Sequence, residues 1–325
     1  MRYVPAILFL TIINIELFSQ CCASGCCAPG TANFGVLEKG DLLVFSFFKR
    51  NYSDKYFQGD KPVNFNYLQN DYSDYSGISL SYGITNKLTV QGSFGYFITK
   101  TENFNIPVIG QQQLTGSGFG DAELYAKYNV FQSKNDVLSI TLSGGVKLPT
   151  GPYKLKSDNV QLTHDVQPGT GAYAGVFTFY AMLKPFKNKT RNNIMFNSRT
   201  DYNGVNPQGY QYGASNTNTL STTFKLYKEL SFIAMVRNEN HDCDKVNNAN
   251  LFSSCSTRIF FAPGISINMG HDLSFSAYGD FPVYQYYSGI QLAAKYAYSV
   301  ALIKVFELHK KTEPTPTFEF QPQSK

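Results

Sequence analysis

Four histidines, six cysteines and a spread of alternating charges are the groups in this 325-residue chain whose types and spacing bear on chemistry. His164, His241, His271 and His309 fall in polar stretches, and none shares a strand with a serine and an acid at a spacing that would build a nucleophilic triad. His164-Asp165 reads as a solvated pair in a long loop. Gly116-Ser117-Gly118-Phe119-Gly120 is glycine-rich but opens a strand rather than a helix, so it is not a phosphate cradle. Neither catalysis nor a cofactor is expected.

The cysteines fall into two groups. Cys243 and Cys255 stand twelve positions apart in an Asn-rich stretch and are expected to close a surface loop, a link worth about 3 kcal/mol on chain-entropy grounds. Cys21, Cys22, Cys26 and Cys27 crowd together near the start. They suit disulfides or another structural use in an exported chain; four thiolates so close could also hold a soft ion such as Cu(I) or Zn(II).

The elements that position the remaining charges announce themselves by a period of two. Leu88, Val90, Gly92, Phe94, Tyr96 and Ile98 interleave with polar neighbours, as do Ala122 to Val130, Leu138 to Leu148 and Leu292 to Leu302. About twelve such strands lie near 40–50, 72–86, 87–100, 118–132, 136–150, 169–184, 191–202, 214–227, 229–241, 256–269, 271–284 and 289–306. Short turns alternate with long polar connections at 51–71, 101–117, 151–168, 203–213 and 242–255. That alternation describes an all-β, transmembrane, up-and-down antiparallel barrel with one plain and one elaborated rim.

Charged residues make up only 16% of the chain, while 27 Phe and 23 Tyr bring aromatics to 15%. Disorder and helical bundles are excluded by that mixture. A net charge of +5 with no basic run gives no reason to expect nucleic acid. One strand face carries charges that no dry core accepts, so the apolar face must look outward to lipid. Clusters such as Phe45-Phe47-Phe48, Tyr125-Tyr128, Phe177-Phe179-Tyr180 and Tyr284-Tyr286-Tyr287 are assigned on this basis to interfacial girdles.

By parity the lumen holds Lys127, Lys147, Arg199, Lys225, Arg237, Arg258 and Lys295, together with Asp121, Glu123, Asp201, Glu239 and Asp280. These charges form either a lining that weakly favours anions or a salt-bridge network that braces the wall and narrows the bore. Twelve strands tilted about 40° give a backbone diameter of roughly 24 Å and a bore on the order of 10 Å. Pro263 interrupts a strand of that wall and cannot donate to the ladder. Pro263 and Gly264 therefore mark either a lateral opening or a bulge with a bound water.

Residues 1–20 have the parts of a secretory signal: Arg2, then the apolar run Ala6 to Ile13. The division that follows is a Cys-rich periplasmic segment at 21–39, an outer-membrane barrel at 40–306 and a polar, Pro-rich periplasmic tail at 307–325.

Three segments then carry a resemblance. They are Gly118-Phe119-Gly120-Asp121-Ala122-Glu123-Leu124-Tyr125-Ala126-Lys127-Tyr128, Gly145-Val146-Lys147-Leu148-Pro149-Thr150-Gly151 and Gln167-Pro168-Gly169-Thr170-Gly171. Together they resemble the outer-membrane protein family named for the meta-pathway of phenol degradation, although Pro168 and Tyr173-Ala174 depart from its pattern. The resemblance implies an exported outer-membrane barrel of a Gram-negative cell, similar to channels for hydrophobic compounds.

The resulting expectation is a passive channel for small solutes, hydrophobic or aromatic ones among them. The alternative is a closed structural barrel whose Cys-rich end binds a metal or a partner protein. Expected partners are outer-membrane lipid, a small-molecule solute and the barrel-assembly machinery.

Overall fold

The computed structural model describes residues 35–64, 68–106, 110–185 and 193–308. The stretch read as a signal (1–20), the four N-terminal cysteines and most of the expected tail lie outside the described residues. Among the described residues no helix is long and apolar enough to cross a membrane.

The strands are β1 Asp41–Gly59, β2 Leu68–Thr85, β3 Leu88–Ile106, β4 Gly110–Phe119, β5 Ala122–Gln132, β6 Leu138–Leu148, β7 Ala174–Leu183, β8 Asn193–Asn203, β9 Ser215–Tyr227, β10 Leu230–His241, β11 Ser256–Asn268 and β12 Leu273–Glu307. Neighbours in sequence pair antiparallel, save that β5 pairs with β3 rather than with β4, and β12 pairs back to β1, so the sheet closes on itself. The ring path counts eleven strands, with β4 off it beside β3 and a short strand, Lys61–Val63, beside β1. The thirty-five-residue β12 folds back on itself. Its first half pairs with β11 and its second with β1, and the Val305 N–H donates to the Asp272 carbonyl at 3.2 Å. Counting both arms, and taking β4 and β5 as one interrupted strand, the wall has the expected twelve staves.

Two long connections of the sequence reading are not loops. Residues 51–59 with 68–71, and 101–106 with 110–117, continue the strands as tall hairpins, β1 with β2 and β3 with β4. Their polar residues on both faces hide the alternation that marks the wall below. The 151–173 connection is irregular and folds inward, with Leu162, Val166 and Gln167 buried. At the opposite, short-turn end, residues 35–40 enter the barrel. The Leu37 N–H donates to the inward hydroxyl of Thr89 at 2.8 Å, and Gly35 sits beside Tyr180 and Thr141 across the lumen.

The barrel is inside-out relative to a soluble domain. Large apolar residues stand exposed on the outer face, Phe94 at 48% and Leu220 at 53% among them, while Thr89, Lys147, Asp201 and Asp280 are buried inside. The aromatic clusters divide between the two faces, which corrects their assignment to girdles. Phe48, Tyr128, Phe177, Phe179, Tyr284 and Tyr286 face out, but Phe45, Phe47, Tyr125, Tyr180 and Tyr287 are buried within.

Candidate functional site: a lumen with two unlike walls

Alternate residues of a strand share a face, so Arg199 and Asp201 on β8, Arg237 and Glu239 on β10, and Glu123 and Tyr125 with Lys127 on β5 all point inward. Arg199 forks onto Asp201, with Nε to Oδ1 at 2.7 Å and Nη2 to Oδ2 at 2.8 Å. It also reaches past β7 and β6 to Glu123, with Nη2 to Oε1 at 2.7 Å. The ammonium of Lys147 lies 3.2 Å from Asp201 and 3.8 Å from Glu123, and the Tyr125 hydroxyl donates to Glu123. Two acids and two bases balance.

A second group lies beyond the small Thr217 and Thr219 of β9. Arg237 donates to Glu239 at 2.7 Å and to Asp280 at 3.1 Å, Arg258 lies 3.0 Å from Glu239, and Lys49 lies 3.6 Å from Asp280. Three bases meet two acids. With Lys127 and Asp121, the described mid-lumen residues hold six bases to five acids. Asp121 looks elsewhere: its carboxylate accepts from the backbone N–H of Gly151 at 3.0 Å, and from the N–H and hydroxyl of Thr170 at 2.9 and 2.5 Å.

Those contacts assemble the three family-like segments into one clasp. The Thr150 hydroxyl bonds the Gly120 carbonyl and the Ala122 N–H, while Gly151 and Gly169 lie back to back, so that a Cβ on either would come within 2.7 Å of the other's backbone. The clasp ties both ends of the inward loop to the rim. The loop then braces on the tall hairpins, with the Lys100 Nζ donating to the Gln167 carbonyl at 2.9 Å and Thr163 bonding Glu102 at 3.3 Å. Burial, reinforced by the charge of Asp71, pushes the Glu102 carboxyl up to about 8. Burial, with Glu102 next, also holds the neighbouring Asp165 well above the usual range.

The opposite wall is aromatic. Phe45 and Phe47 of β1, Tyr75 of β2 and Phe97 of β3 follow one another at ring-centroid distances of 5.4, 5.7 and 4.7 Å. The rings lie flat because glycines face them. A Cβ on Gly77 would stand 2.5 Å from the Phe47 ring, and one on Gly95 would stand 2.2 Å from the Tyr75 hydroxyl. Between the walls is a cavity of about 70 Å³, measured to the centres of the waters it would hold, lined by Phe45, Phe47 and Tyr75 on one side and by Lys127, Arg199, Arg237, Glu123 and Asp121 on the other. It takes about five waters, so the 10 Å bore estimated from strand number is largely filled by side chains.

Other residues singled out from the sequence lie apart from this centre. Lys225 is exposed near the short-turn end of β9. Lys295 sits at a register shift between β1 and β12, exposed and paired with Asp54. Pro263 faces outward and pairs with Ala234. Toward β12 the ladder has the same register on both sides of it (Phe261 with Phe281, Gly264 with Tyr278), so the proline causes no bulge. Directly inside it, Ile233, Met235, Ala262 and Tyr278 pack together.

The Cys243–Cys255 disulfide is formed, with Cα atoms 4.3 Å apart. Beside it Asp244 accepts from Tyr210, the Gly213 N–H and the His241 ring, knitting two loops together. His164 is not the solvated residue expected; its ring stacks on Tyr210 at 3.8 Å. Among the described residues no group of three His, Cys, Asp or Glu is arranged to hold a metal ion.

No family model matches the chain, and no curated protein matches it in sequence. The fold is similar to that of the COG4313 outer membrane channel from Pseudomonas putida F1, with a TM-score of 0.65 at 12% identity over 86% of this chain and 99% of that one. That likeness shows a shared fold. A Ralstonia pickettii toluene transporter, TbuX, aligns over 83% of this chain and 90% of its own at 9% identity and a TM-score of 0.41. The NanC porin aligns over 79% of this chain and 98% of its own at 9% identity and 0.44. Scores this low say nothing of function.

Proposed function

We propose that the protein is a non-enzymatic channel of the Gram-negative outer membrane, exported by its N-terminal signal, that passes small solutes down their gradient. The observation that carries this reading is the inversion of polarity: a closed ring with large apolar residues exposed outside and ionised residues buried around a central cavity. In lipid every backbone group must find its partner within the protein, which a closed barrel provides. Outer-membrane lipid covers the apolar face, the barrel-assembly machinery inserts it, and the long-loop rim faces outward from the cell. The aromatic wall suits hydrophobic or aromatic solutes.

Single-channel recording of the refolded mature protein in a planar bilayer tests this. Discrete conductance steps with a modest anion preference are expected. Silence from protein shown to be folded by heat-dependent gel mobility would overturn it. Silence would favour the second reading, a closed scaffold, for which the entry of residues 35–40 into the lumen speaks.

A further inference from the structure

The inward loop 151–173 meets the tall hairpins through acids. Its Thr163 hydroxyl donates to Glu102 Oε2 at 3.3 Å, while Oε1, buried as well, meets no donor among the described residues. Asp71 of β2 is buried beside Glu102, and Asp165 of the loop comes up against both. Among the described residues the base set against these three carboxyls is Lys100, whose Nζ donates to the Gln167 carbonyl at 2.9 Å. Three carboxylates and one ammonium leave two negative charges in a dry space; two protons make the group neutral. Burial favours those protons on Glu102 and Asp165.

The other titratable groups packed here hold one state above neutrality. Burial pushes up the hydroxyls of Tyr56 on β1 and of Tyr210 and Tyr212 on the 203–214 connection, and pushes the His164 ring down, so all four stay uncharged. Asp244, behind Asp165, is matched separately by the His241 ring, Tyr210 and the Gly213 N–H. The loop's ends are fixed independently, by Asp121 on Gly151 and Thr170 and by Gly151 against Gly169. Its middle is therefore the part that a change of charge can move.

We propose that the inward loop is a proton-dependent latch: protons on Glu102 and Asp165 hold its middle, residues 155–166, on the tall hairpins, and their loss frees that middle while the clasp keeps both ends in place. The docked carboxyls bind protons more tightly than freed ones, so docking is strongest in acid and weakens as pH rises towards about 8. The buried side chains of Leu162 and Val166 hold at every pH, so the change is a graded loss of protection. The latch is a property of the loop and stands without conduction.

The test is hydrogen exchange of folded, detergent-solubilised protein, read by mass spectrometry and corrected for the intrinsic pH dependence of exchange. Protection of residues 155–166 is expected to fall about tenfold between pH 7 and 9, while that of β7, Ala174–Leu183, stays constant. The double variant Glu102→Gln, Asp165→Asn, neutral at every pH, should keep the loop protected at pH 9. Constant loop protection in the unaltered protein overturns the proposal, whether or not the variant folds; an equal fall in a folded variant overturns it too. A barrel that loses loop protection yet is silent in a bilayer keeps the latch and loses the channel, and one that conducts with constant protection does the reverse.

Discussion

The two walls of the lumen are held together by opposite physics. The charged wall, from Glu123 round to Asp280, is directional: each carboxylate is fixed by named donors at 2.7 to 3.2 Å, and removing one partner strands the other. The aromatic wall, from Phe45 to Phe97, is a matter of area and fit, and its weak point is the bare backbone on which the rings rest. One wall is therefore sensitive to losing atoms and the other to gaining them.

The sharpest break in that contrast is Arg199→Ala. It leaves Glu123 and Asp201 with Lys147 as their shared basic partner, and a loss of about 3–5 kcal/mol is expected in urea unfolding followed by gel mobility. Adding Glu123→Gln and Asp201→Asn should restore most of it. A single variant as stable as the parent would show that lumen water, not the guanidinium, solvates the acids.

Adding one methyl to the other wall should cost less. Gly95→Ala places a Cβ within contact of Tyr75, and about 1–3 kcal/mol is expected together with a changed near-UV tyrosine spectrum. Alanine at Gly144, where a Cβ meets nothing within 4 Å, serves as the control and should change neither.

Outside both walls, Glu102 introduces a pH dependence. Its folded carboxyl holds a proton up to about 8 against an ordinary 4.5, so the folded state binds more protons than the unfolded one between those values. Stability should then fall as pH rises from about 4.5 to 8 and level off above. Glu102→Gln should reduce that slope, to which the raised Asp165 carboxyl also contributes, in thermal unfolding measured from pH 4 to 9; an unchanged slope would remove Glu102 as a source. The smallest effect is expected at Pro263→Val. The packed cluster behind the proline keeps the wall closed, so uptake of an apolar dye should stay as it was, and a drop would mean that solute leaves sideways there.

The charged wall was legible in the sequence because its strands alternate cleanly, and parity places Glu123, Lys127, Arg199, Asp201 and Asp280 on one face. The aromatic wall was not. In Leu42-Leu43-Val44-Phe45 and Phe47-Phe48 both faces of β1 are apolar, so no alternation tells inside from outside, and residue type alone favours lipid. The clasp was visible only as three motifs. Asp121 and Thr170 lie 49 positions apart, and nothing local says that the carboxylate turns from the lumen to backbone amides. The tall hairpins escaped notice because polar strands flanked by solvent carry no amphipathic signal.

The aromatic wall also lies across the seam where the ring closes. Phe45 and Phe47 on β1 pack with Ala301, Ile303 and Val305 on the last arm of β12, more than 250 positions along the chain. The charged cluster of Glu123, Lys147, Arg199 and Asp201 spans strands that follow one another in sequence. Assembly order follows from this. The ionic brace and the ring-to-ring contacts of β1, β2 and β3 form within a growing, still open sheet, whereas the packing of Phe45 and Phe47 on Ala301, Ile303 and Val305 waits for the first strand made to meet the last, a loop closure of nearly the whole chain. That packing across the seam is the fastener drawn shut at the end, and the cavity beside it does not exist until the barrel is complete.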